Sequence, residues 1–441
     1  MSESPAAFPP AERLSLRTNF AWTLAGNIVY AGCQWGMLVV LAKMGTPEWV
    51  GQFALGLAVT APILLFANLQ LRSVQATDIG DEYRFGHYLS LRLLMLTLAM
   101  IVIVAVILIS GYGAETALVV AAVGLAKLFE SVSDVFYGLL QKHERMDRIA
   151  KSMMIKGPLS LAALAAGTYF AGNVAAGVCA MAAAWLGVLL FYDMPSGRMI
   201  LKQFEHVVAS KAPWKPLWNR AVLKKLAWLA APLGVVMMLN SLNANIPRYV
   251  VEHQLGQWEL GIFAALAYLQ IAQNTVINAL GQSATPRLAG HFMQGQIGMF
   301  RHLNLRLLMI GLAIGAAGVA VAFAFGPSLL TLIYRPEYAA RSQVFVWLMA
   351  GAALSNVAAF LGYGLTAARR FRIQMPLLIC ETLILTASCL YLVPMFGLLG
   401  AAVAYFIAKG CLIVLSGIAL GRAMKTTSPA VQPAGEIAHA Y

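Results

Sequence analysis

Residues 86–110 read GHYLSLRLLMLTLAMIVIVAVILIS, with Arg92 the only fully charged side chain in the run. As a helix, a run of this length rises about 37 Å, enough to cross roughly 30 Å of hydrocarbon. Its apolar residues are continuous rather than alternating, which favours a spanning helix over a barrel strand. The same pattern recurs along the chain. Twelve apolar segments are expected, at 17–42, 51–71, 86–110, 114–141, 152–171, 174–193, 221–251, 259–287, 302–326, 342–366, 373–393 and 397–421.

Composition agrees with that pattern. Of 441 residues, 60% are apolar and only 11% charged, against about a quarter charged in soluble domains. Too few polar side chains exist to coat a water-exposed surface of this size. An ordinary soluble enzyme, a disordered regulator and a fibrous protein are thereby excluded. The five cysteines (Cys33, Cys179, Cys380, Cys389, Cys411) all lie in apolar stretches without a CxxC pair, the pattern of packed small residues rather than of a disulfide framework or zinc site. Residues 1–16 lack the basic start and apolar core of a cleavable leader and read as a cytoplasmic tail.

The net charge of +13 would suggest nucleic acid in a soluble chain, but its distribution says otherwise. With the N-terminus inside, 25 of the 31 Lys and Arg residues fall on the cytoplasmic side, Arg92 and Lys156 among them. Only Lys43, Arg248, Arg335 and Arg341 fall outside, and Lys127 and Lys409 sit within spans. This asymmetry is the positive-inside rule, with both termini cytoplasmic and no nucleic acid required.

The longest interruption, 194–220, carries Pro195, Pro213, Pro216, Trp214 and Trp218 and reads as an interfacial cytoplasmic connector. It divides a 17–193 lobe from a 221–421 lobe, with 422–441 as a second tail. The halves are alike: GTPEWVGQFALG at 45–56 matches GQWELGIFAAL at 256–266. With one gap, Gly51 aligns with Gly261, Phe53 with Phe263, Asn68 with Asn278 and Arg72 with Gln282. The fold expected is all-α, with twelve transmembrane helices in two pseudo-symmetric six-helix lobes. A duplicated unit in one orientation is a transporter plan with its site between the halves.

Polar residues inside spans should face a cavity or a helix partner. Thr23, Asn27, Tyr30 and Gln34 recur at three or four residues, as do Asn68, Arg72 and Gln75. Asn240 and Asn243 precede Arg248, and Asn274, Asn278, Gln282 and Thr285 follow the same spacing. Each set shares one helix face. They line a hydrated cleft between spans 1, 2, 7 and 8, or else bond helix to helix. Arg17, Arg72, Arg248 and Arg287 end these stripes. They suit a phosphate-bearing ligand, through the bidentate guanidinium fork, or anchor the topology. Two charged clusters remain: Lys127, Glu130 and Asp134 on one face of span 4, and Glu381 with Lys409 on spans 11 and 12. They form a proton or sodium relay or neutralised structural pairs. No phosphate-binding loop and no His/Cys ligand spacing occurs, so neither an ATPase nor a resident metal or other cofactor is expected. Enzyme chemistry is also disfavoured, since only Glu48, Glu115, Glu252, Glu259 and Glu337 could serve it outside.

Residues 19–62 (NFAWTLAGNIVYAGCQWGMLVVLAKMGTPEWVGQFALGLAVTAP) and 243–288 (NANIPRYVVEHQLGQWELGIFAALAYLQIAQNTVINALGQSATPRL) resemble the signature regions of Wzx-like oligosaccharide flippases. These belong to the MOP superfamily, with the MATE drug exporters and lipid II flippases. The resemblance covers essentially the whole chain. It implies two six-helix lobes around a central cleft in the bacterial inner membrane. It also implies alternating-access flipping of an undecaprenyl-pyrophosphate-linked oligosaccharide, with membrane lipids and other polysaccharide-assembly membrane proteins as partners. The substrate-binding set it suggests is Arg17, Asn27, Gln34, Asn68, Arg72, Asn243, Arg248, Asn278, Gln282 and Arg287. Lys127, Glu130, Asp134, Glu381 and Lys409 are the candidates for ion coupling. Lipid II flippases typically carry two further helices, so twelve spans favour the Wzx-like branch. The alternative is an ion-coupled multidrug exporter of MATE type. Such exporters commonly use an acid on the first or seventh helix. Span 1 offers only Asn27 and Gln34, and span 7 has no acid before Glu252.

Overall fold

The computed structural model describes residues 15–78, 82–204 and 214–426. Most of the expected tail 1–16, most of 422–441 and the middle of the connector lie outside these. The described chain is helical throughout. Its helices are α1 (Leu16–Met44), α2 (Pro47–Asn68), α3 (Leu71–Thr77), α4 (Phe85–Ser110), α5 (Ala114–Lys142), α6 (Met146–Ala171), α7 (Val174–Val188) and α8 (Met194–Phe204). After them come α9 (Arg220–Tyr268), α10 (Ile271–Met293), α11 (Ile297–Ile333), α12 (Pro336–Ala339), α13 (Ser342–Ala367), α14 (Phe371–Phe396) and α15 (Leu398–Thr426). Among the described residues, 11 helices are long and apolar enough to cross a membrane, and this is a multi-pass membrane protein.

Local chemistry sets several boundaries. The Ser15 hydroxyl accepts the Thr18 amide at 3.2 Å and starts α1. Pro47 opens α2, where its missing N–H costs nothing, and Glu48 suits the positive helix start. Gly111 and Gly172 end α4 and α6 in the left-handed conformation.

Three expected spans are built differently. Span 2 does not run on as a helix past Asn68. Leu69 (φ 49°) and Gln70 (φ 51°) turn left-handed, and α3 starts afresh. One helix face therefore cannot carry Asn68, Arg72 and Gln75 together. Span 7 continues for 49 residues to Tyr268, about 73 Å of helix and over twice the hydrocarbon thickness. It does so as two helical segments joined at Gly256, whose φ of 86° only glycine adopts without strain. The expected span 259–287 is correspondingly divided by a turn at Leu269–Gln270. Residues 194–204 of the expected connector are helical as well. A π-turn at Leu189–Asp193 joins α7 to α8 without a break. The connector's far end is tied down by Leu217 N–H donating to the Gly86 carbonyl at 3.0 Å, and Arg198 lies 4.3 Å from the Trp214 ring.

The chain divides into two compact units, residues 1–265 and 266–441. In the first, α5 is the hub, packed by α2, α3, α4 and α7, while α6 pairs with α1 and α7. Most of α9 belongs here, although the internal repeat assigns it to the second half. In the second unit α13 is central, packed by α10, α11 and α15, with α14 against α15.

Within the first unit the two repeats meet reciprocally. A Cβ on Gly51 would strike the Gln257 carbonyl, and a Cβ on Gly261 would strike the Pro47 carbonyl. The repeat register equates Gly51 with Gly261, and each struck carbonyl belongs to the residue four positions before the opposite glycine. Each glycine thus admits the backbone four residues before its counterpart in the other repeat. Gly261→Leu is expected to cost about 1–3 kcal/mol by overpacking and to lower the midpoint of thermal unfolding in detergent. Gly187→Leu, on α7 with open space around it, leaves the midpoint unchanged. Equal midpoints for the two variants would remove this contact as a constraint.

Candidate functional site

A cavity of about 710 Å³ opens inside the first unit. Its walls come from α1, α2, α3, α5, α6 and α9, and its lining includes Arg72, Lys127, Lys156, Arg248, Glu130 and Asp134. For a space between apolar helices this is an unusual concentration of charge, because each buried ion costs several kcal/mol unless paired. The pairing is visible. Asp134 on α5 accepts from Arg92 on α4 at 3.1 Å and lies 3.5 Å from Arg72 on α3. Arg92 is fully buried and also donates to the Asn68 side-chain oxygen. Arg72 donates to Gln141 at 2.9 Å, with its guanidinium 5.5 Å from the Tyr137 ring centre. The break at Leu69–Gln70 turns Arg72 onto this cluster. Left-handed non-glycine residues are costly and tend to collect at functional sites.

Glu130 is held from two sides. Lys127 donates at 2.8 Å and the Tyr30 hydroxyl at 2.5 Å. Lys127 also sits 4.9 Å from the ring of the buried Trp185. At Lys156, 2% exposed, a hydrogen-bond chain leaves the cavity. Lys156 donates to the Tyr137 hydroxyl at 3.1 Å, and Ser152 donates to Asp193 at 2.5 Å. Ser152 has one proton, so across the 2.6 Å Tyr137–Ser152 contact Tyr137 is the donor. The order Lys156 to Tyr137 to Ser152 to Asp193 follows. Asp193 lies within the π-turn, a local rewinding that is frequent at functional sites. Arg248 donates to Asn245 on its own helix at 2.7 Å. In total, Arg72, Arg92, Lys127, Lys156 and Arg248 face Glu130, Asp134 and Asp193: five cations against three carboxylates, an excess of two positive charges.

The residues expected from the sequence are thus partly gathered and partly dispersed. Asn68, Arg72 and Arg248 share the cavity with Lys127, Glu130 and Asp134, so members of both expected sets meet in one cluster. Arg17 and Asn27 are exposed on α1, and Gln34 is half-buried but outside the lining; Tyr30 is the α1 side chain that enters. Asn243 is buried, while Asn245, two residues on, faces the cavity. Asn278, Gln282 and Arg287 are exposed in the second unit, where Asn278 accepts from Tyr363 at 3.2 Å. Arg287 borders a separate hollow with His291, His302 and Arg306. Two cations enter the sidedness count without a role of their own and gain one here: Arg92 and Lys156 are buried, one holding Asn68 and Asp134, the other Tyr137 and Asp193. One signal for Lys156 was available, since Ser152, Lys156 and Ser160 recur every fourth residue.

In the second unit Lys409 donates to Glu381 at 2.5 Å, with Glu381 only 2% exposed. Removing one partner of such a pair is expected to cost about 3–5 kcal/mol, and replacing both with apolar residues to restore most of it. Thermal unfolding of Glu381→Leu, Lys409→Met and the double variant tests this. A double variant as unstable as the sum of the singles would mean the two charges do not act as a pair.

Comparison with known proteins adds identity to this geometry. The polysaccharide biosynthesis protein family matches residues 16–291. The capsular polysaccharide biosynthesis protein CapF of Staphylococcus aureus is 29% identical over 391 residues, covering 89% of this chain and 96% of that one. The lipid II flippase MurJ in an inward closed conformation superposes with a TM-score of 0.68 at 10% identity, over 92% of this chain and 89% of its own. An inward-facing multidrug resistance MATE transporter gives 0.64 at 15% identity, over 94% and 97%. At such low identities these two structures speak for the fold alone. The chain belongs to the polysaccharide biosynthesis protein family and has the fold of MOP-superfamily transporters.

Proposed function

We propose that this protein flips an undecaprenyl-pyrophosphate-linked oligosaccharide from the cytoplasmic to the outer leaflet of a bacterial inner membrane, by alternating access between two six-helix lobes. In this reading the chain crosses twelve times, the break at Gly256 separating the seventh crossing from the eighth, and both termini are cytoplasmic. One observation carries the proposal: the excess of two positive charges around the cavity. A diphosphate bonded to lipid at one end and sugar at the other keeps one ionised oxygen on each phosphorus. Its two negative charges match the excess. Arg72 and Arg248 supply the forked donors that suit phosphate oxygens, and Lys127 and Lys156 supply compact charge. The sugar extends from the diphosphate into the polar space, and the polyprenyl chain stays in lipid. No chemical bond changes, so the role is transport rather than catalysis.

Glu130 and Asp134 support a coupled variant of this reading. A diphosphate arriving at Lys127 and Arg72 competes with the carboxylates already there, and a proton or sodium ion taken up by the displaced acid offsets the loss.

The direct test uses purified protein in liposomes containing lipid-linked oligosaccharide, with a glycosidase kept outside. Expected is protein-dependent cleavage beyond the share of one leaflet. Cleavage that stops at that share, in vesicles that exchange a small cation for protons, would sink the flippase reading in favour of an exporter. Arg72→Gln and Arg248→Gln are each expected to slow flipping by about tenfold or more, the size of one lost charge-assisted hydrogen bond. Unchanged rates in both variants would remove the cavity as the diphosphate site. With coupling, an imposed proton or sodium gradient changes the wild-type rate, and Glu130→Gln abolishes that response; a rate indifferent to both gradients would dismiss coupling.

A further inference from the structure

A second cavity of the first unit, about 670 Å³, lies between α2, α4 and α9 and differs in character. Its length is lined by Ile63, Val106, Met238 and Leu242, and its rim includes Ile109, which is 85% exposed. In a membrane protein such an exposed isoleucine meets lipid, so the cavity opens sideways into the bilayer. From Met238 to Glu252 along α9 it extends about 21 Å, the depth of one leaflet with its headgroup layer. One end is polar. Tyr112 lies in the short turn between α4 and α5, hence at a membrane surface, and Glu252 and His253 complete that end. The Tyr249 hydroxyl nearby is already occupied by the Ala58 carbonyl, which pins α9 to α2. Glu252 is half-buried and makes no hydrogen bond or ion pair among the described residues.

We propose that this cavity is a binding site for an amine-bearing phospholipid, with its ammonium on Glu252 and one acyl chain along Val106, Leu242 and Met238. Charge selects the occupant. A carboxylate at the mouth attracts an ammonium and repels a headgroup that is purely anionic, including a diphosphate. His253 and the Tyr112 hydroxyl stand beside it as donors for the phosphodiester of the same lipid. The site therefore differs from the charged cavity, which shares the α2 and α9 walls but takes the opposite sign of ligand. A lipid lodged there contacts α9 one turn and more before its break at Gly256.

Native mass spectrometry of the detergent-solubilised protein, offered equal phosphatidylethanolamine and phosphatidylglycerol of matched chains, tests the site. Wild-type protein is expected to retain the ethanolamine lipid about fivefold better, the worth of one partly exposed ion pair. Glu252→Gln brings the ratio near one. Ile63→Trp, and independently Val106→Trp, fill the cavity and reduce retention of both lipids. No preference in the wild type, a preference for the glycerol lipid, or a preference that survives Glu252→Gln would each overturn the proposal. Retention that survives both tryptophan variants would do so too. Displacement of the ethanolamine lipid by an equal amount of polyprenyl phosphate would reassign the cavity to the substrate's chain and equally overturn it. None of these readouts depends on flipping, so the site stands or falls apart from the transport reading.

Discussion

Asp134 holds two guanidinium groups at once, Arg92 from α4 at 3.1 Å and Arg72 from α3 at 3.5 Å. Placing either guanidinium among apolar helices without such a partner would be costly. Much of the first unit follows from satisfying them. The left-handed turn at Leu69–Gln70 points α3 toward α5, and Asn68, the last residue before it, takes the other arm of Arg92. The same helix α5 carries Lys127, Glu130 and Tyr137, so one element presents both carboxylates of the cavity wall. The wall stays polar on the cavity side because its opposite side is spent on apolar contacts with α2, α4 and α7.

The resulting site is partly neutralised rather than uniformly basic. A cavity of bare cations would be costly to fold and would hold a polyanion too tightly to release it. Carboxylates already bound to those cations lower both costs. In the proposed reading, a phosphate entering the cavity exchanges partners with Glu130 and Asp134 instead of meeting unpaired charge, and the carboxylates reclaim the cations as it leaves. Weak net attraction made of strong local contacts suits a carrier, whose substrate must bind and then depart.

Much of the fold was legible in the sequence, because length and hydropathy directly determine which segments can cross a bilayer. The site was legible only in pieces. Asn68 and Arg72 do share the cavity, but through a backbone break that the three- and four-residue spacing rule does not contain. The acids of span 4 were visible as one helix face, and the Glu381–Lys409 pair as opposite charges on adjoining spans. Lys156 and Arg92 were hidden by their own positions. A basic residue some ten positions inside a helix start looks like a surface anchor when sidedness is counted, and only packing tells the two apart. Asp193 sits in a π-turn, which local sequence does not announce. The gap between Asn243 and Asn245 has a similar origin: two residues along a helix turn a side chain by about 200°, so a small error in facing exchanges one asparagine for the other.

The reciprocal seat of Gly51 and Gly261 has a consequence for how such a chain can change over time. Each glycine admits the backbone just before its counterpart, so the two halves of the duplication are not free to change size separately at this point. A larger residue in one half must be met by a displaced carbonyl in the other, and the mirror contact then shifts as well. The constraint therefore sits at two positions 210 residues apart in sequence, and a change of size at one is felt at the other.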